Sequence, residues 1–228
     1  LAHAKGPYDY AEVDAPSPFT RIGPGPGSIV KPDVVFYGGN AGMNAGKLEK
    51  TGIKSFSIDG TPAYNVGTSF STPWVSRMAA ELTHLVKEEF DPLLIRALLI
   101  HNAKYPANNS MSMTDKVTQM GFGAPSSVQE MLYNSEDEIT LILRDTLEKG
   151  SFIEMFDFPF PESLVDKDGN FVGQIIVTLV TKSLLDDMVR NIAVVNLKKC
   201  PGGAIANSKA VRQAARQDAD RLKRQIQL

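Results

Sequence analysis

The chain has 228 residues, 43% of them hydrophobic, which suffices for one or two domains with a proper core. Charged residues make up 22% and the net charge is −2, which excludes a disordered polyelectrolyte and gives no global pull toward nucleic acid. No apolar run reaches the roughly 18 residues a membrane helix needs, and the single cysteine, Cys200, excludes an intrachain disulfide and suits a reducing compartment.

Residues 1 to 30 read as loop, because Pro16, Pro18, Pro24 and Pro26 alternate with Gly23, Gly25 and Gly27. The apolar run Asp33 to Tyr37 predicts a strand buried on both faces, in a largely parallel sheet, stopped by Gly38-Gly39. Residues 38 to 54 read as a glycine-rich loop. Ser55 to Ile58 reads as a short strand and Asp59-Gly60 as a turn. A helix is expected over about Phe70 to Glu88, with Trp74, Met78 and Leu82 buried. A second stripe, Ser76, Ala79, Ala80 and Thr83, holds only small residues and predicts close backbone approach on another face.

Asp91-Pro92 has the form of an N-cap followed by an N1 proline, and opens a helix from Leu93 to about Asn102. Residues 104 to 120 read as a polar insertion, with a short helix starting at Pro125. From Glu138 the texture changes. Ile139–Leu143, Phe152–Phe158, Phe171–Thr181 and Asn191–Leu197 are β-type runs that predict a small antiparallel unit. A terminal helix is expected over about Ser208 to Gln227. Its stripe is Val211, Ala215, Ala219, Leu222 and Ile226, and its six basic and two acidic residues give +4 in a chain of −2. This helix reads first as a solvated or packing helix, and second as a partner-binding one.

The segment Gly67-Thr68-Ser69-Phe70-Ser71-Thr72-Pro73 carries the chemistry. A glycine allows a tight approach, and a serine then stands at the mouth of a helix among unsatisfied backbone N–H donors. Such donors stabilise an oxyanion formed at that serine. A Ser or Thr at a helix start is otherwise an ordinary cap. The segment is not a G-x-S-x-G elbow, since Ser71 stands in the last glycine position.

This segment resembles the serine signature of the subtilisin-like serine proteases, the subtilases, usually G-T-S-x-A-x-P-x-V-A. Four further blocks follow in family order. Ser17 to Pro24 resembles S-x-F-S-x-x-G-P, and Lys31-Pro32-Asp33-Val34-Val35 resembles the K-P-D-V strand. Leu94 to Ile100 resembles the following helix, and Gly121-Phe122-Gly123 the closing G-x-G. The resemblance covers roughly residues 1 to 130. It implies an α/β fold, the C-terminal portion of a parallel-sheet protease domain over residues 1–134. A β-rich unit over 135–200 and a linker with terminal helix over 201–228 would follow.

Three positions depart from the family pattern. A-P-G is Phe36-Tyr37-Gly38, the usual histidine after the signature proline is Trp74, and a usual glycine is Arg77. These changes resemble a divergent bacterial branch, for which an AAA-type ATPase partner is implied.

The resemblance makes Ser69 the catalytic nucleophile of a serine endopeptidase acting on a peptide or protein substrate, with no cofactor and no metal. In chain order a subtilase triad runs Asp, His, Ser, with His about 150 residues before Ser. His3 is the sole histidine before Ser69 and stands too close to it, and the first asparagine is Asn40. The Asp, His and oxyanion Asn are therefore expected upstream of Leu1, and the chain alone is expected to be inactive. The alternative is a non-catalytic peptide- or protein-binding module on the same fold.

His84 and His101 read as structural histidines. Asp166-Lys167-Asp168-Gly169-Asn170 reads as a turn, because the glycine and glutamate of a calcium loop are replaced by Phe171 and Val177. Asn108-Asn109-Ser110 is a glycosylation sequon that matters only in a secreted chain. No nucleic-acid or membrane partner is expected.

Overall fold

The computed structural model describes residues 1–26, 29–87, 89–106, 110–135, 138–148, 151–152, 162–168, 170, 172–183 and 188–198. They fall into two compact units, Leu1–Leu132 and Tyr133–Leu228.

In the first unit, β1 (Asn40–Asn44) and β2 (Lys47–Thr51) form an antiparallel hairpin with Asn44 opposite Lys47. Ala45 and Gly46 make its two-residue turn, both with positive φ, as a hairpin turn that matches strand twist requires. Residues 38 to 54, read as loop from their glycines, are thus largely paired strand. A second hairpin joins β3 (Ile53–Phe56) to β4 (Pro62–Asn65). It turns at Asp59-Gly60, where the Asp59 carboxylate accepts from the Thr61 amide at 3.1 Å. The expected strand 55–58 therefore begins two residues earlier.

The expected strand Asp33–Phe36 is an irregular, partly buried segment. Its backbone groups divide among separate partners, so no ladder forms. Phe122 N–H donates to the Asp33 carbonyl (2.9 Å) and Val35 N–H to the Gly123 carbonyl (3.0 Å). Leu1 brackets Tyr37, donating to the Phe36 carbonyl (2.8 Å) and accepting from Gly38 N–H (3.0 Å). That is the bonding of one parallel bridge. The parallel sheet expected here is absent among the described residues: every paired strand is antiparallel.

α1 (Thr68–Leu85) begins two residues earlier and ends three earlier than expected. Leu82 is fully buried, but Met78 is half-buried and Trp74 is 46% exposed, so the expected burial of all three is corrected. Trp74 instead lies against the Phe36 ring, centroids 6.2 Å apart. The small residues Ala79, Ala80 and Thr83 line an open groove of about 470 Å³ together with Ile95 and Leu99.

α2 (Pro92–His101) starts as read: the Asp91 side chain accepts from the Leu93 amide at 3.0 Å with Pro92 at the first position. Leu94, Ala97 and Leu98 are essentially inaccessible and share the core with Leu82 and Met120. The polar stretch 104–120 contains α3 (Met113–Met120), capped by the Ser112 hydroxyl accepting from Asp115 N–H (3.1 Å). Ala103–Lys104 (β5) and Ala124–Pro125 (β6) pair, and α4 is Val128–Leu132, three residues after the expected start.

The paired strands of the second unit are antiparallel, as its β-type runs predict. β7 (Glu138–Glu148), β8 (Gln174–Ser183) and β9 (Met188–Lys198) form one sheet in the order β7-β9-β8. Leu164, 1% exposed, packs on Ile139 and Ile175. The Asp166 carboxylate accepts from the amides of Asp168 (2.9 Å) and Asn170 (2.8 Å), which closes a tight turn. The run Phe152–Phe158 beyond Phe152, the sequon asparagine Asn108, Cys200 and the terminal helix lie outside the described residues.

Candidate functional site

Ser69 is the second residue of α1 and is exposed. Gly67 holds the N-cap position with φ 148°, a backbone region that side chains rarely enter, and no side chain caps the helix. No acidic residue occupies the first turn, so the positive end of the helix is uncompensated beside the Ser69 hydroxyl. Phe70 N–H donates to the Gly67 carbonyl at 3.1 Å. Among the described residues no acceptor meets the N–H groups of Thr68 and Ser69, and no hydrogen bond holds the Ser69 hydroxyl. The hydroxyls of Ser71 (3.0 Å) and Thr72 (2.9 Å) instead donate to the Thr68 carbonyl. The helix runs unbroken through Pro73, which has no N–H to offer the Ser69 carbonyl.

The turn is set by the loop beneath it. Gly67 N–H donates to the Gly38 carbonyl at 2.9 Å. A Cβ on Gly38 would lie 2.8 Å from the Gly67 carbonyl oxygen, and one on Gly39 would lie 2.7 Å from Val66. Glycines are thus needed on both sides of this contact. The Ser17 hydroxyl, buried, donates to the Gly39 carbonyl at 2.7 Å. Asn40, fully buried, follows. Its amide donates to the carbonyls of Ala4 (3.1 Å) and Ala11 (2.7 Å), and its oxygen accepts from Ala41 N–H (2.9 Å). Tyr37 donates to Asp14 at 2.8 Å; burial, and then that carboxylate, push its phenol up.

Asp33 anchors the start of this loop through ion pairs with Lys31 and with Arg96 at 2.5 Å. Burial pushes its carboxyl up, but hydrogen bonds from the two cations and their charges outweigh that and hold it below the usual carboxylate range. On the far side Gly121, with φ 60°, passes against the Pro32 carbonyl, where a Cβ would lie 1.9 Å away.

Ser69 opens onto a cleft of about 510 Å³. Its lining includes Val66, Gly67 and Thr68 before the serine, Phe19 and Arg21, and Leu48 of the first hairpin. The four blocks around residues 17–24, 31–35, 67–73 and 121–123 are therefore brought together through the Gly23 N–H bond to Thr118 (2.8 Å) and the contacts above.

The histidines are not brought to Ser69. His3 is exposed and does not line the cleft. His84 stands fifteen residues on in the same helix, about 22 Å along its axis. His101 closes α2. The sequence reading missed Arg21, Ser17 and Asn40. The first two sit in the block Ser17 to Pro24 and could have been marked from it. Asn40 carries no signal beyond being polar after two glycines.

Residues 6–127, more than half of the chain, match the Subtilase family. The uncharacterized protein y4bN of Sinorhizobium fredii (strain NBRC 101917 / NGR234) is 29% identical over 186 residues, covering 73% of this chain and 41% of that protein. The chain thus spans less than half the length of that relative.

Proposed function

Since the chain belongs to the subtilase family, we propose that it is the nucleophile-bearing part of a serine peptidase, with Ser69 as the residue that is acylated. The observation that carries this reading is the exposed, unbonded hydroxyl at an uncapped helix mouth, on a turn that glycines hold from below. Ser69 Oγ attacks a peptide carbonyl carbon while a general base takes its proton. The carbonyl oxygen becomes an oxyanion facing the first N–H groups of α1. Collapse expels the amine, which takes up the proton, and water then hydrolyses the acyl-enzyme. Among the described residues no histidine lines the cleft, which supports a base, an orienting acid and an oxyanion asparagine supplied from outside these 228 residues.

That same absence favours a second reading, a peptide-binding module without catalysis. A fluorophosphonate probe separates the two. The 228-residue chain should not label, since loss of the triad histidine costs about 10⁶ in kcat. A longer polypeptide supplying the Asp and His should label, and Ser69→Ala should abolish the label. An extended protein that binds peptides but never labels is a binding module. Stoichiometric labelling of the 228-residue chain places a base within it, and the split-triad reading fails.

A further inference from the structure

Among the described residues, Arg21 is the one charged side chain lining the Ser69 cleft. It is exposed, and among the described residues no carboxylate pairs with it. The other lining side chains are neutral and in part apolar, Phe19, Leu48 and Val66 among them. A cation beside low-dielectric walls attracts an anion more strongly than one on an open surface. A guanidinium also presents a planar fork that fits a carboxylate with two parallel hydrogen bonds. The chain's net charge of −2 opposes anions overall, so any attraction in this cleft is local.

We propose that Arg21 selects peptides carrying a carboxylate near the bond presented to Ser69, either an Asp or Glu side chain or a free C-terminus. This rests on the reading of the cleft as a peptide site. Phe19, beside Arg21 in the cleft, offers an apolar surface for the stem of the same residue.

The test uses the 228-residue chain and fluorescent alanine-based peptides. A single Glu or its isostere Gln is scanned through each position with the C-terminus amidated. A second arm compares the all-alanine peptide as free acid and as amide. At one position or at the terminus, the carboxylate form should bind about two- to fivefold tighter, the size an exposed ion pair supplies. The preference should shrink as salt rises. Arg21→Gln should abolish the preference, so that charged and neutral forms bind alike, and Arg21→Glu should reverse it in favour of a Lys-bearing peptide. The arm that responds identifies the source of the carboxylate. Equal binding of charged and neutral peptides overturns the role of Arg21 and leaves the peptide site standing. Absence of binding by any peptide overturns both.

Discussion

The Arg77 guanidinium lies 6.0 Å from the centroid of the Trp74 ring, one turn away on α1. Both positions depart from the family pattern, and they are each other's partners. A long cation in place of a glycine needs room and a counter-surface; the indole supplies the surface and is itself backed by Phe36. The substitutions are therefore one structural change. A double-mutant cycle on Trp74→Ala and Arg77→Ala, read by denaturant unfolding, should give a coupling of about 0.5–1 kcal/mol, as for exposed cation–π pairs. Strict additivity would show that the contact contributes nothing.

Gly38→Ala should destabilise the first unit by about 1–3 kcal/mol, because the methyl meets the Gly67 carbonyl and the loop must shift. The same shift should reduce probe labelling of Ser69 in a longer, active polypeptide. Gly46→Ala, where a Cβ meets no atom within 4 Å, is the control: it carries only the cost of its positive φ. Equal effects from the two would remove the steric argument.

Leu82→Ala should cost about 2–5 kcal/mol, the range for a fully buried leucine. Met78→Ala should cost clearly less, because Met78 is only half-buried. The sequence periodicity places both on one stripe and cannot rank them, so thermal unfolding of the two variants tests the structure rather than the pattern.

Asn40→Ala should cost roughly 2–4 kcal/mol, since it leaves the Ala4 and Ala11 carbonyls and the Ala41 amide without their buried partner. A cost below about 0.5 kcal/mol would show that water replaces the side chain there.

Asp33 gives a pH dependence of known sign. Its folded carboxyl titrates below the unfolded one, so its contribution is present above about pH 4 and is lost as pH falls through the folded value. Asp33→Asn should therefore be less stable than the parent at pH 7 by under about 1 kcal/mol, the group being partly exposed. The difference should close in acid. A gap that widens below pH 4 would reverse the assignment.

Local signals were legible where the chemistry is local. Asp91-Pro92 caps α2 through one side chain, and three of the β-type runs after Glu138 pair as antiparallel strands. The segment Asp33–Phe36 misleads because an apolar run shows burial but not partners, and its hydrogen bonds are divided between Leu1 and the Phe122-Gly123 pair, at opposite ends of the first unit. The hairpin Asn40–Thr51 was hidden by its glycines, which serve a turn and close backbone approach rather than a loop. At the site, the motif singles out Ser69, which the structure places exposed at the mouth of α1. Arg21 stands in the block Ser17 to Pro24, but that it shares a cleft with Ser69 shows only once residues distant in sequence are assembled.

The bond from Phe122 to Asp33 also bears on the order of folding. The loop that holds Gly67 begins at a segment whose own anchor is made near the far end of the first unit. Contacts of such long sequence separation form late, because the chain must first be closed over them. During synthesis Ser69 and its helix emerge well before Gly121-Phe122-Gly123. Until those residues arrive, the Asp33 carbonyl and the Val35 amide have no partner and the turn under Ser69 is held at one end only. The setting of Ser69 is thus completed by one of the last parts of the unit to be made.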